Sequence, residues 1–418
     1  MKSSQLFTRT SKTYPADETS RNAQLLIQAG YVHKEMAGVY AFLPLGKRVL
    51  DNIVQIIREE MNAIGGQEVS LTALQSKDVW KASGRWSDEV IDVWFRTKLA
   101  NGSELGLAPT HEEPITNMMR QFVSSYKDLP ALPYQFQTKF RNELRSKSGL
   151  MRGREFLMKD LYSFSVDATA HEVFYEQAAE AYKKVFERLG IGDSTYKTFA
   201  SGGSFSTYSH EFQTVSPVGE DTIYIHEGKG IAINKEVYND EVLADLGITK
   251  DELVEKTAVE VGNIFTLGTK FSDALDLKFT AEDGSVQPVY MGSYGIGPSR
   301  LMGLLAEHFA DARGLVWPAA VAPMQVYLAR LGDNPNVIKQ ADEVYQTLMS
   351  KGSEVLYDDR DARPGEKFAD ADLLGIPYRV VISEKTAAAD LYEVKARAAT
   401  EVKMLNLTDM IKTLGISE

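Results

Sequence analysis

Between Gln135 and Ser165 the chain alternates polar and apolar side chains twice over, a pattern that a helix cannot use. QFQTKFRNE (135–143) sets Phe136, Thr138 and Phe140 on one side and Gln137, Lys139, Arg141 and Glu143 on the other. A period of two is that of a strand with one charged face. REFLMKDLYSFS (154–165) alternates again, with Phe156, Met158, Asp160, Tyr162 and Phe164 sharing a face. With only LRSKSGLMRG between them, the two are expected to pair as a long antiparallel hairpin. Lys139, Arg141, Arg145, Lys147, Arg152, Arg154 and Lys159 all fall within it, although the formal charge of the whole chain is -12. That contrast argues against bulk, non-specific nucleic-acid binding and for a local patch that meets a chosen phosphate.

A chain of 418 residues suits two or three domains. GKRVLDNIVQIIREEMNAI places Val49, Ile53, Ile56, Ile57 and Met61 at the period of an amphipathic helix, and Gly65-Gly66 ends it. QEVSLTALQ then reads as a strand. After the hairpin come a helical stretch (HEVFYEQAAEAYKKVFERLG), a Gly/Ser-rich loop and a polar, weakly periodic segment from 222 to about 257. Strand signals return in PVYMGSYG, and Pro298 opens a helix with Leu301, Leu304, Leu305 and Phe309 on one face. WPAAVAP (317–323) is the expected linker. Beyond it, strand, helix, strand, helix, strand, strand form a compact α/β domain of about 95 residues.

Zero cysteines exclude disulfide and thiolate chemistry, and the six histidines show no metal-ligand spacing. No run approaches the roughly 18 apolar residues of a membrane span, and the polar start has no signal-like apolar region, so a cytoplasmic protein with no membrane partner is expected.

Arg141 and Glu143 leave one face of the first strand, where one can hold a phosphate or carboxylate oxygen and the other can accept from an exocyclic amine. An isolated R-x-E is more often a cross-strand ion pair. Here Arg152 and Phe156 bring a cation and an aromatic face to the same hairpin mouth, which suits a nucleotide's triphosphate and ring. GSYGIGPSR (292–300) resembles a phosphate-cradling glycine loop through Gly295 and Gly297, but it is neither G-x-G-x-x-G nor a Walker A sequence. Arg300, in the first turn of a helix, opposes the macrodipole unless an anion sits there. In LGLAPTHEE, Thr110 and Glu112 could accept from a cationic amine, with a helix N-cap as the alternative.

Together, F-R-N-E (140–143), R-x-x-x-F (152–156) and G-I-G-P-S-R (295–300) resemble motifs 2 and 3 of the class II aminoacyl-tRNA synthetases. GVYAFLPLGKRVL, SGRW, PTHEE, YQFQTKFRNELR, MRGREFLMKDLYSF, SHEF, GED and MGSYGIGPSR are similar to the bacterial prolyl-tRNA synthetase family, and DDRDARPGEKFADADLLGIP to its anticodon-binding domain. The resemblance implies an α+β catalytic domain, an antiparallel sheet with flanking helices, over 1–221 and 258–318. It further implies a short segment at 222–257 in place of an editing insertion, a linker at 319–323 and a C-terminal α/β anticodon-binding domain at 324–418.

It also implies the activity: ATP-dependent activation of L-proline to prolyl-adenylate and transfer to tRNA(Pro), with Mg²⁺, by a homodimer. Arg141 would hold the α-phosphate and the proline carboxylate, and with Arg300 would be catalytic. Glu143 would read the adenine amine, Phe156 would stack the ring, and Arg152 and Arg300 would take the β- and γ-phosphates beside Gly295 and Gly297. Thr110 and Glu112 would take the imino group, with Met158, His210 and Phe212 around the pyrrolidine ring. Arg145 would meet the tRNA acceptor end. Arg360, Arg363 or Lys367 would contact the anticodon, each with a solvated charged surface as its ordinary alternative. Glu211 is a candidate Mg²⁺ ligand.

Three departures stand out. The gap that usually carries an editing domain is short, which predicts uncorrected charging with alanine. Thr72 stands where motif 1 usually ends in proline, within Leu71-Thr72-Ala73-Leu74-Gln75. Gly202-Gly203 lie farther from SHEF than in the family. Two other readings compete: adenylation that feeds a carrier other than tRNA, and a catalytically silent synthetase-like subunit.

Overall fold

The computed structural model describes residues 1–144, 148–202 and 208–416, and two compact units divide the chain. One comprises Val54–Ser146 and Arg152–Leu301, the other Met1–Ile53, Lys147–Met151 and Met302–Glu418. Helix α1 (Pro44–Ala63) carries the expected stripe: Val49, Ile53, Ile56, Ile57 and Met61 are all buried. Gly65, at φ +86°, closes it in the left-handed conformation that a side chain would resist.

The first unit is built on a nine-stranded sheet. In chain order its strands are β1 (Gln67–Glu68), β2 (Pro133–Phe140), β3 (Glu155–Ser165), β4 (Thr195–Ser201), β5 (Tyr208–Val215), β6 (Asp221–His226), β7 (Ile231–Asn234), β8 (Val254–Gly268) and β9 (Tyr290–Ile296). Their spatial order is β5-β4-β7-β6-β8-β9-β3-β2-β1, and β5 also pairs with β8, so five strands close on themselves at one end. Pairing is antiparallel except for β7 with β4 and β1 with β2. The expected hairpin is present, with Gln135 opposite Asp160, Gln137 opposite Met158 and Lys139 opposite Phe156.

Register decides which side chains share a face. Asp160 lies opposite Gly295, Gly295 opposite Asn263, and Asn263 opposite Glu211, so one face carries Lys139 of β2, Asp160 of β3, Asn263 of β8 and Glu211 of β5. Helix α2 (Glu112–Met119) follows the PTHEE segment. The other face is covered by α3 (Ala168–Arg188), capped by the Asp167 side chain and burying Phe174, Tyr175, Tyr182, Val185 and Phe186. That layer takes Lys159, whose ammonium donates to the Tyr182 hydroxyl at 2.6 Å.

Two expectations about this unit change, and one strand, β8, was not anticipated. QEVSLTALQ is two short strands in different sheets, Gln67–Glu68 and Leu74–Ser76, because the irregular stretch 69–73 intervenes. Strand β8, with 15 residues the longest of all, has no clean alternation: Glu255, Lys256 and Glu260 interrupt its apolar positions. The polar segment 222–257 is ordered sheet, forming β6, β7 and helix α4 (Asp240–Leu246) around Ile233, Val237, Val242, Leu243 and Ile248. Helix α5 (Pro298–His308) starts at the expected proline and buries Leu301, Leu304 and Leu305.

The second unit holds a five-stranded sheet of β10 (Val326–Arg330), β11 (Val355–Asp358), β12 (Tyr378–Ile382), β13 (Tyr392–Ala396) and β14 (Lys403–Leu405), ordered β11-β10-β12-β13-β14. With α6 (Pro335–Ser350) and α7 (Pro364–Leu374), the first five elements follow the expected order, and a short helix, Glu384–Ala388, then intervenes before β13. The core joins Val326, Leu328, Val337, Ala341, Val344, Val355, Val380 and Ile382. The 317–323 stretch is packed rather than loose: Trp317 and Val321 are buried, and Trp317 lies 5.6 Å from the ring of Tyr31.

Candidate active site

The ends of β2 and β3 form the first part of the site. Arg141 is half-buried, its Nε donates to the Pro109 carbonyl at 3.3 Å, and its guanidinium lies 5.3 Å over the ring of Phe156. Burial, with Arg300 nearby, disfavours its charge, a field in which an incoming anion is welcome. Glu143 does not pair with Arg141. Its Oε2 accepts from Arg152 Nη2 at 2.9 Å, while Arg152 Nη1 donates to Glu220 at 2.9 Å.

Beside this mouth lies a group of acids. Arg300 Nη1 donates to the Glu260 carbonyl at 2.7 Å and to its carboxylate at 2.9 Å, so β8 supplies the anion that the first turn of α5 needs. Burial works against the Glu260 carboxylate, yet Arg300, and Asn263 donating at 2.8 Å, hold its pKa below the ordinary value. Burial and then Glu260 push Glu211 the other way, up to about 8. Gln213 Nε2 bridges Glu211 and Asp221 at 2.9 and 2.8 Å.

The glycines are not a loop. Gly295 lies within β9, where a Cβ would come 2.7 Å from Asn263 Oδ1. Gly297 stands at the corner between β9 and α5, with Arg300 Cβ 3.3 Å from where its own Cβ would be. Close packing explains the first, and the second leaves the corner narrow above Arg300.

The PTHEE segment forms the far end. The Thr110 hydroxyl donates to Glu112 Oε2 at 2.6 Å rather than capping α2, whose N-cap residue His111 makes no side-chain cap bond. Gln75 Nε2 donates to the Thr110 carbonyl at 2.8 Å. Arg85, from SGRW, reaches Glu112 at 3.5 Å and the buried Glu113 at 3.0 Å. Met158 lies between Phe156 and Asp160 on the same face of β3.

Several expected residues are not brought here. His210 and Phe212 point from β5 into the α3 layer: His210 lies 2.8 Å from the Tyr175 hydroxyl, and Phe212 is buried between Tyr182 and Phe186. The side-chain alternation of β5 gives the charged face to Glu211 instead. In the second unit Lys367 is buried and donates to the Arg330 carbonyl at 2.6 Å, which removes it from an RNA-facing surface. Arg360 is held by Asp358 and Asp370, each at 2.7 Å, whereas Arg363 is exposed, just before α7. Arg145 lies outside the described residues.

A family model for the class II tRNA synthetase core domain (G, H, P, S and T) matches residues 95–309, and one for the anticodon binding domain matches 325–415. The proline–tRNA ligase of Zymomonas mobilis is 39% identical over 441 residues, covering 99% of this chain and 98% of the relative. The chain belongs to the prolyl-tRNA synthetase family. A Wolbachia proline–tRNA ligase is 37% identical over 427 residues, covering 98% of this chain and 99% of that one. Such end-to-end alignments leave no room in these relatives for a large extra domain. The fold matches a solved prolyl-tRNA synthetase from Cryptosporidium parvum, complexed with halofuginone and AMPPNP, at TM-score 0.78 and 17% identity over 94% of this chain and 76% of that one.

With this synthetase placed in its family, Glu260, Arg85 and His111, which sequence reasoning did not single out, stand at the site together with Lys139. Lys139 was legible as part of the charged face of β2. Glu260 was not, because the strand that carries it shows no regular alternation.

Proposed function

We propose that the charged face of the nine-stranded sheet activates proline with ATP and then passes the prolyl group to tRNA(Pro). The observation that carries this reading is Arg141, which lies over the Phe156 ring while bonded to Pro109, next to the Thr110–Glu112 pair. One guanidinium thereby stands between a stacking platform for a base and a pair of oxygens for an amine. Because the Thr110 proton is committed to Glu112, the Thr110 oxygen faces a ligand as an acceptor. The protonated imino group of proline offers two N–H donors to Thr110 and Glu112, and its carboxylate falls to Arg141. Phe156 stacks the adenine, Glu143 reads its amine, and Arg152 and Arg300 take the outer phosphates beside Gly295 and Gly297. Met158 faces the pyrrolidine ring.

The proline carboxylate oxygen then attacks the α-phosphorus in line, and pyrophosphate departs from the opposite side. In the second step a ribose hydroxyl of the tRNA attacks the prolyl carbonyl, and AMP leaves. Charge develops on phosphate oxygens, so preorganised guanidinium groups and proximity supply the acceleration, without a protein nucleophile.

Among the described residues no three acidic or histidine side chains form a complete metal cage. Mg²⁺ is ordinarily held by one or two carboxylates together with substrate phosphates. The Glu211–Glu260 pair fits that need: burial and mutual repulsion leave Glu211 short of a cation. These two would hold Mg²⁺, which neutralises phosphate charge.

The same reading divides the chain into a catalytic domain (1–221 and 258–318), a segment replacing an editing insertion (222–257), a connection (319–323) and an anticodon-binding domain (324–418). Arg363 is its exposed candidate for an anticodon contact, and Arg145 its candidate for the acceptor end. A homodimer through the 67–75 region agrees with Leu74, 57% exposed on its short strand. No described helix is long and apolar enough to cross a membrane, and we assign the enzyme to the cytoplasm.

ATP–pyrophosphate exchange across a panel of amino acids, followed by tRNA charging, tests the reading. Exchange strongest with proline, and charging of tRNA(Pro), are expected. Exchange with no amino acid would leave a silent subunit, and exchange without charging would point to another carrier.

A further inference from the structure

Lys139 is fully buried on the charged face of β2, and its ammonium meets two partners, Asp160 Oδ1 at 2.7 Å and His111 Nδ1 at 2.7 Å. An ammonium has three donors and no acceptor, so His111 Nδ1 must be the accepting, unprotonated nitrogen. The ring proton then lies on Nε2, which is 3.1 Å from the Thr72 carbonyl and donates to it. His111 is thus a neutral spacer of fixed tautomer, clamped between a buried cation and the backbone of the Leu71–Thr72 segment. Its own backbone stands between Thr110 and Glu112. Gln135 ties the arrangement from the other side, donating to Asp160 at 3.0 Å and accepting from the Leu71 amide at 2.9 Å.

Burying an ammonium and a carboxylate costs more than filling the same space with apolar side chains, and such pairs serve best where they fix one geometry among several. Burial, opposed by Asp160, lowers the pKa of Lys139, and burial with Lys139 lowers His111 to about 4, so the ring is uncharged through the neutral range.

We propose that Lys139 and His111 are positioning residues for the amino-acid substrate: the clamp fixes the spacing of Thr110 and Glu112 against the imino nitrogen and couples it to the Leu71–Thr72 segment. This rests on Thr110 and Glu112 being the imino site, so the test carries its own control.

Initial rates of pyrophosphate exchange are measured against proline and against ATP, with active-site titration to count competent enzyme. His111→Leu leaves the Lys139–Asp160 pair intact and is expected to raise the proline KM about 10-fold or more, with the ATP KM within about twofold. His111→Gln can accept from Lys139 and donate to Thr72 at once, and should recover most of that loss. Lys139→Met alone leaves Asp160 buried without its cation and risks misfolding, so the double variant Lys139→Met/Asp160→Asn is used, with the same rise in proline KM expected. A merely structural role would lower the titrated active fraction and leave both KM values in place, and that result would overturn the proposal. If Glu112→Gln raises the proline KM while His111→Leu does not, the imino site stands and the clamp fails. If Glu112→Gln also has no effect, the imino-site assignment fails and the proposal falls with it.

Discussion

At the hairpin mouth the Arg152 side chain is 47% exposed and shared between Glu143 and Glu220, whereas Lys139, on the partner strand, is fully buried and held by Asp160 and His111. Both are cations of one hairpin, yet their surroundings prepare them for different work. The glutamates around Arg152 are solvent-screened partners that a triphosphate can displace at small cost. The partners of Lys139 are buried, and removing Asp160 would strand a charge, a loss of about 3–5 kcal/mol. In the proposed assignment, the phosphate end of the site is therefore held by exchangeable ion pairs, and the amino-acid end is fixed before any substrate arrives. The difference separates a mouth that must release pyrophosphate from a pocket that must tell one small amino acid from another.

Arg141 touches both ends, and its loss should be the most damaging. Arg141→Ala is expected to slow pyrophosphate exchange by about 100-fold or more, the scale for removing a preorganised charge donor. Near-normal exchange would break the comparison at its hinge.

Next in size is the discrimination against alanine. If Thr110 and Glu112 hold the imino group, the primary ammonium of alanine satisfies them as well, so rejection falls to the apolar contacts around the ring, where a few missing methylenes are worth about 10–200-fold. Segment 222–257 is part of the sheet, closing β6 and β7 around its own small core. We expect alanine to support exchange within that factor of proline, and Ala-tRNA(Pro) to decay no faster with the purified enzyme than without it. Rapid clearance would show a corrective activity and sink the prediction.

What was legible in the sequence follows the same division. The hairpin, its charged face, α1, α3, α5 and the first five elements of the C-terminal domain could be read because period and punctuation agree there with the fold. Strand β8 could not, since Glu255, Lys256 and Glu260 interrupt its apolar positions. Arg141, Phe156, Thr110 and Glu112 were legible as chemistry, and the structure brings them together. The misplacement of His210 and Phe212 has a physical cause: SHEF alternates, and without the register of β5 against β8 nothing in those four letters says which pair faces α3. Likewise Lys367 reads as a surface cation until the carbonyls of Arg330 and Asp358 are seen to enclose it.

A smaller effect is expected at the exchangeable end. Arg152→Ala should raise the ATP KM by about 3–10-fold, as an exposed cation is worth on the order of 1 kcal/mol, and the proline KM should stay in place. Added salt should narrow the gap between variant and wild type. A loss as large as that of Arg141→Ala would show that the mouth is as rigid as the pocket.

The smallest effect concerns stability at the fixed end. Burial, opposed by Arg85 and aided by Glu112, pushes the Glu113 carboxyl from the ordinary 4.5 up to about 7. Between those values the folded protein holds a proton that the unfolded chain has released, so this group's contribution is complete below about pH 4.5. It falls as pH rises toward 7 and is flat above it. Glu113→Gln keeps the shape and removes the titration. Between pH 5 and 8 the wild type should therefore lose stability relative to the variant by about 1 kcal/mol or more, read as a Tm difference that narrows or reverses by about 2–4 °C. Parallel melting curves across that range would mean that Arg85 compensates Glu113 fully, and that the amino-acid end carries its buried charge without strain.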